Sequence, residues 1–112
     1  MRKYVSIVLL FIAAFMMAQN PKREFRGAWI QCVNGQFQGM GRDAMQQTLS
    51  YQLDELQKSG INAIFFQVRA EGDALYASEL EPWSRYLTGQ QGLPPNPYWD
   101  PLEWMVEQCH AR

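Results

Sequence analysis

Four polar side chains stand at alternate positions, Gln67, Arg69, Glu71 and Asp73, where the apolar run Ile61 to Val68 gives way to a polar segment. An arginine beside two carboxylates can donate to sugar hydroxyls, hold the carboxylates ionised or fix their orientation. The same trio can equally be a structural ion pair that pins a loop, and the residue types alone leave both readings open. A second set lies earlier, at Trp29 and Gln31. A tryptophan gives a flat apolar face on which a pyranose can lay its C–H bonds, and a glutamine amide offers both donor and acceptor. The plainer reading of Trp29 is a core residue. Further along, Tyr76, Trp83, Tyr86, Tyr98 and Trp99 are interleaved with Glu79, Glu81 and prolines at 82, 94, 95 and 97. Aromatics and polar groups on a proline-stiffened loop suit a carbohydrate groove, or a small satellite core beneath a long loop.

These groups must be positioned by strands. The run INAIFFQV from Ile61 reads as a strand buried on both faces, as in parallel sheets, and its polar ending marks a C-terminal strand edge. Alternation puts Ala63, Phe65, Gln67 and Arg69 on one face and Ile64, Phe66 and Val68 on the other. Glu24 to Val33 reads as an earlier strand, with Trp29 and Gln31 sharing a face near its end and Gly27 at a place of close approach. Asn34 to Arg42 is a loop with three glycines. Asp43 then opens a predicted helix, capped by its own carboxylate and by Gln46 three residues on, with Met45, Leu49, Leu53 and Leu56 along one face and Gly60 as its end. A second helix is predicted from Asp100, with Pro101 at its first position, Glu103 completing a capping box, and Leu102, Met105, Val106 and Cys109 as its apolar stripe. The order strand, helix, strand, helix, with a short helix-to-strand turn and long strand-to-helix loops, is that of a parallel α/β sheet with an elaborated working edge. Two strands cannot close a sheet, since a doubly wound domain takes about five and a barrel eight. The expectation is a truncated domain.

At the start, Arg2 and Lys3 precede the apolar stretch YVSIVLLFIAAFMMA, which ends at Ala18. A basic start, a short hydrophobic core and a small residue before a polar break describe a secretory signal peptide, residues 1–18, cleaved after Ala18. It is shorter than the roughly 20 residues a membrane span takes, so no permanent membrane anchor is expected. Residues 19–24 form a short polar lead-in, and residues 25–112 the domain proper. The location expected is periplasmic or extracellular. The net charge is −1 and Lys and Arg are not clustered, which excludes a nucleic-acid partner. No metal-ligand cluster, phosphate-cradling glycine motif or serine nucleophile elbow is present, so no cofactor or metal is expected. The lone His110 falls in the last turn of a helix, where a dipole partner is the simple reading. An exported chain with two cysteines raises a disulfide, but Cys32 lies near the C-terminal edge of its strand and Cys109 at the far end of a helix running the other way. Those edges are about 15 Å or more apart, and a disulfide tolerates no more than about 7 Å between Cα atoms. Both thiols are expected free and buried.

The phrases EFRGAWIQ, LQKSGINAIFFQVRAEGDALYASELEPWSRYLTG and YWDPLEWMVEQCHAR resemble the start of the glycosyl-hydrolase-like 10 family of exported bacterial proteins. The resemblance covers nearly all of residues 19–112, and the run from FQVR to YLTG is its most specific part. It implies a (β/α)8 TIM barrel of which this chain holds the first two βα units. It implies a glycoside hydrolase acting on a polysaccharide or a cell-wall glycan, including peptidoglycan stripped of its peptides. Two carboxylates would do the chemistry, one protonating the leaving oxygen and one acting as nucleophile or base. Barrel glycosidases commonly place these at later strands, which would lie beyond Arg112. The catalytic residues are therefore unassigned, and Trp29, Gln31, Gln67, Arg69, Glu71 and Asp73 are the substrate-binding candidates. Ala70 stands where the family usually has proline after the strand-end arginine. The competing reading is a non-catalytic carbohydrate-binding or cell-wall-associated barrel.

Overall fold

The structure, a computed structural model, describes residues 2–17 and 23–112. Its elements are α1 (Arg2–Met17), β1 (Gly27–Ile30), α2 (Arg42–Lys58), β2 (Ala63–Phe66), the short α3 (Arg85–Thr88) and α4 (Pro101–Ala111). Helix α1 coincides with the apolar leader, and its side chains from Tyr4 to Ile12 are exposed. Among the described residues no helix is long and apolar enough to cross a membrane. The expected cleavage point after Ala18 and the lead-in through residue 22 lie outside the described residues.

Strands β1 and β2 pair in parallel with Trp29 opposite Phe65 and Ile30 opposite Phe66. A parallel pair needs a crossover, and α2 supplies it. Both strands are shorter than the sequence predicts, four residues each. Side-chain amides take over where the backbone ladder ends. Asn62 Oδ1 accepts from Arg26 N at 2.8 Å and its Nδ2 donates to Glu24 O at 2.7 Å. At the other end Gln67 N donates to Ile30 O at 2.9 Å, and Gln67 Oε1 accepts from Cys32 N at 3.0 Å.

The sheet is covered on one face. Ile30, Cys32, Ile64, Phe66 and Val68 join Met45, Leu49 and Leu53 of α2, Met105 of α4 and Leu75 of the long loop in a single core cluster. Fully burying one such aliphatic side chain contributes about 1.5–3 kcal/mol. The other face is bare, with Trp29 64% and Phe65 50% exposed. Gly27 lies beneath the Phe65 ring: a Cβ there would come within 2.7 Å of Phe65 and 3.1 Å of Phe25. This is the close approach that an interior strand glycine predicts.

Helix α2 buries Met45, Leu49 and Leu53 and half-buries Leu56, as its periodicity predicts. Its end is a Schellman motif in which Gly60, at φ 90°, donates to Gln57 O and Ile61 N donates to Leu56 O, both at 3.0 Å. Its start differs from the expected box at Asp43. Gly41 is the N-cap in an extended conformation, without a side-chain cap, and Arg42 is already helical. Asp43 therefore sits inside the first turn, accepting from Arg42 Nε at 2.9 Å and favouring the helix through its dipole. At α4 the expected cap is present: Asp100 Oδ1 accepts from Glu103 N at 3.0 Å, with Pro101 first in the helix. The second Asp100 oxygen accepts from Ala77 N at 2.9 Å, tying the helix to the loop. The stripe of α4 is rotated from the predicted one. Pro101 and Met105 are buried while Val106 is 44% exposed. Trp104 is half-buried on this helix and meets Trp99 edge to face at 6.0 Å.

Both cysteines are free, Cys32 buried and Cys109 half-buried against Met105. Burial, then the nearby Asp73 carboxylate, push the Cys32 thiol up to about 11, so it is a weak nucleophile at neutral pH. Alkylation of the denatured, unreduced protein should label both Cys32 and Cys109 by mass spectrometry. A Cys32–Cys109 cross-link would contradict the strand and helix directions.

Candidate functional site

The predicted site residues collect where β1 and β2 end, but they do not form the arginine–carboxylate trio. Arg69 pairs through Nη2 with Glu81 Oε1 at 2.6 Å, tying the strand end to the far side of the loop. Glu71 is held by Arg85 in a two-pronged pair at 2.9 and 2.7 Å and accepts from the Tyr86 hydroxyl at 3.1 Å. The Arg85 guanidinium also lies over the Tyr86 ring, 4.5 Å from its centroid. The hydrogen bonds from Arg85 hold the Glu71 carboxyl down at about 2. Glu71 is thus ionised across the working range of a protein, an acceptor and not a proton donor.

Asp73 is buried, 1% exposed. Its Oδ1 accepts from Ala70 N at 3.1 Å and Glu71 N at 3.0 Å, closing the loop entry on itself. Burial pushes this carboxyl up, and the hydrogen bonds from Glu71 N, the Ser84 hydroxyl and Ala70 N outweigh it, leaving the pKa below its ordinary value. Gln67 braces Cys32 through its oxygen, and Gln31, the residue before Cys32, is half-buried. Trp29 presents its ring on the bare sheet face.

The loop aromatics divide between the two readings. Trp99 is buried and Tyr76, Trp83 and Tyr86 are half-buried, whereas Tyr98 is exposed and caps Trp83 edge to face at 5.9 Å. An isolated bridge pairs Ala74 with Trp83, and Ser84 caps α3 by accepting from Tyr86 N at 3.1 Å. This short helix has no periodic signal, and the sequence reading takes the whole segment as loop. Sequence reasoning also misses Arg85 and Arg42. Arg85 reaches Glu71 from fourteen residues away, beyond any helical or strand spacing.

Beside this cluster the glycine-rich loop after β1 faces the segment from Arg85 to Trp99 across a cleft of about 960 Å³. Its walls include Asn34, Gln38, Arg42, Arg85, Tyr86 and Asn96. Among the described residues no group of three His, Cys, Asp or Glu side chains could hold a metal ion.

A parallel strand pair, a helix crossover and a polar, aromatic edge at the carboxyl ends of the strands define an α/β protein with its candidate site where such sheets carry their sites. The chain belongs to the glycosyl hydrolase-like 10 family, which it matches over residues 24–112. It is similar to glycosyl hydrolase YngK of Bacillus subtilis (strain 168), 38% identical over 102 residues, a span of 88% of this chain and 20% of that protein. It is also similar to glycosyl hydrolase DigH of Escherichia coli (strain K12), 46% identical over 67 residues, 60% of this chain and 15% of that protein. The chain therefore spans a fifth or less of the length of these relatives.

Proposed function

We propose that this chain supplies the first two βα units of an exported (β/α)8 barrel that hydrolyses glycosidic bonds in a polysaccharide or cell-wall glycan. The observation that carries this reading is the one-sided sheet. Its bare face holds Trp29 and Phe65, and it runs at the strand ends into Gln31, Gln67 and the ion-paired loop, as the inward face of a barrel runs into its mouth. Family membership supports hydrolysis as the chemistry. In this reading Trp29 stacks on a sugar ring, the Gln67 amide NH2 and Arg69 donate to hydroxyls, and Glu71 and Asp73 hold the loop. In this reading the proton donor and the nucleophile or base belong to other strands of the barrel, and Glu71, whose carboxyl Arg85 holds down at about 2, is not the group that protonates a leaving oxygen. Residues 1–18 act as the signal peptide, and the protein works in the periplasm or outside the cell.

A second reading, a non-catalytic carbohydrate-binding barrel, is favoured by one observation: Trp29 is exposed for stacking while Glu71 and Asp73 are both engaged in holding the loop. Release of reducing ends from purified glycan strands by the full-length protein decides between them, since a binder retains the strands and releases none. In the same assay Arg69→Ala should lower turnover about tenfold or more. Its pair with Glu81 is open to solvent on the arginine side, 56% exposed against 26% for Glu81, and a pair of this kind contributes about 1 kcal/mol to stability, so the melting temperature should move little. Unchanged turnover with a lowered melting temperature would make Arg69 a structural tie instead.

A further inference from the structure

Immediately after β1 the chain makes a tight turn. Gln36 N donates to Val33 O at 3.3 Å, and the two residues between them, Asn34 and Gly35, stand at φ 62° and 71°. Two positive φ values inside a closed four-residue turn define the type I′ form, which Asn-Gly favours because asparagine tolerates the left-handed region and glycine has no Cβ. Rotating the single peptide plane between Asn34 and Gly35 converts it to type II′, with ψ at the first central residue about −120°. Gly35 accepts the accompanying change of sign in its own φ. In that form Asn34 Cβ and the Gly35 nitrogen are nearly eclipsed about the Cα–C bond, the arrangement that a five-membered ring through Asn34 Cγ needs. Both residues are exposed, and the groups that turn over, Asn34 O and Gly35 N, have no hydrogen-bond partner among the described residues. The other asparagines lack this freedom. Asn20 and Asn96 precede proline, whose nitrogen has no proton to give up, and Asn62 is held at both side-chain atoms by Arg26 N and Glu24 O.

We propose that Asn34 is a site of spontaneous covalent modification, deamidation through a cyclic imide, by which the protein changes the charge of its own cleft with age. The Gly35 nitrogen attacks Asn34 Cγ, and the short tether supplies the proximity. A bond forms between that nitrogen and Cγ, the bond from Cγ to the side-chain NH2 breaks, and the NH2 leaves with the Gly35 proton as ammonia. One water then opens the imide. Opening at one carbonyl leaves aspartate at position 34, and opening at the other leaves isoaspartate, whose backbone is longer by one carbon. Either product sets a carboxylate on a cleft wall whose charged side chains are Arg42 and Arg85. Isoaspartate also lengthens the loop that joins β1 to α2.

The test is timed incubation of the folded full-length protein at neutral pH, followed by trypsin digestion and mass spectrometry, with a fresh sample digested alongside as the zero point. Trypsin releases Gly27–Arg42 as one peptide in which Asn34 is the sole asparagine. This peptide should show the amide-to-acid mass gain at a rate about tenfold or more above that of the peptide carrying Asn62, whose side chain must first leave two hydrogen bonds. Protein isoaspartate methyltransferase should label the same peptide, since isoaspartate marks the imide route. Asn34→Gly keeps the type I′ turn and should abolish both the mass gain and the label. Reaction of the free peptide Gly27–Arg42 without reaction of the folded protein would show that the turn is locked, and would overturn the site. Equal rates at Asn34 and Asn62 would overturn it too, as would a mass gain that persists in Asn34→Gly and so belongs to Gln31, Gln36 or Gln38.

Discussion

Heated alone, residues 19–112 should show no cooperative transition in the near-ultraviolet circular dichroism, whereas the full-length protein should show one. The physical reason is the bare side of the sheet. Trp29 and Phe65 are exposed on it, Phe25 joins them, and a parallel sheet normally has both faces covered. Two four-residue strands also leave two unpaired edges, and a two-stranded sheet is marginal in water. The helices and Leu75 bury the opposite face, but ordering each residue costs about 1–2 kcal/mol in backbone freedom, and one covered face of so small a sheet does not offset that. Adding the missing cover should restore the transition. A sharp melt of residues 19–112 by themselves would show that the core around Met45, Leu49 and Leu75 is sufficient, and would remove the argument that the bare face awaits further strands.

Asp73→Ala should destabilise the full-length protein by about 3 kcal/mol in urea titration, the largest effect expected from any substitution at the strand-end cluster. Removing the carboxylate leaves the Ala70 and Glu71 amides without their acceptor in a part-buried loop entry, each group left unsatisfied costing about 1–3 kcal/mol. Asp73→Asn keeps a carbonyl oxygen in the accepting position and should lose less than half as much. The same site gives a pH dependence of definite sign. The folded-state pKa of Asp73 lies below its ordinary value, because hydrogen bonds to the charged form outweigh burial. A carboxyl depressed on folding stabilises the protein above its ordinary pKa of about 4, and that contribution is lost as the pH falls through it toward the folded value. Stability should therefore fall on acidification below about pH 4, and this acid-sensitive part should be absent in Asp73→Asn. A loss below 1 kcal/mol for Asp73→Ala, or an unaltered acid profile in Asp73→Asn, would show that the loop entry is held by other contacts.

The sequence by itself determined what local rules determine. The βαβα order, the parallel α/β class, the buried face of α2, the Gly60 terminus and the Asp100 cap all follow from side-chain period and from hydrogen bonds reaching no more than a few residues. The faces are of the same kind, Trp29 with Gln31 and Phe65 with Gln67 by a period of two along each strand, whereas the register that sets Trp29 opposite Phe65 came from the strand pairing. Tertiary structure decided the electrostatics. Arg69, Glu71 and Asp73 are adjacent in sequence, yet Arg69 pairs with Glu81, Glu71 pairs with Arg85, and Asp73 turns inward to the loop backbone. No periodicity governs the segment from Ala70 to Asp100, so its path depends on long-range anchors: Leu75 N on Val68 O, Leu102 N on Leu75 O, and Asp100 on Ala77 N. Once those anchors bring Arg85 over Glu71, the guanidinium fork selects that carboxylate over nearer ones in sequence, because two parallel hydrogen bonds depend on position in space and not on spacing along the chain. The cleft lined by Arg42 and Arg85 comes from the same packing. Its two arginines open different helices, Arg42 at the start of α2 and Arg85 at the start of α3, and only the shared core beneath sets them on one cleft.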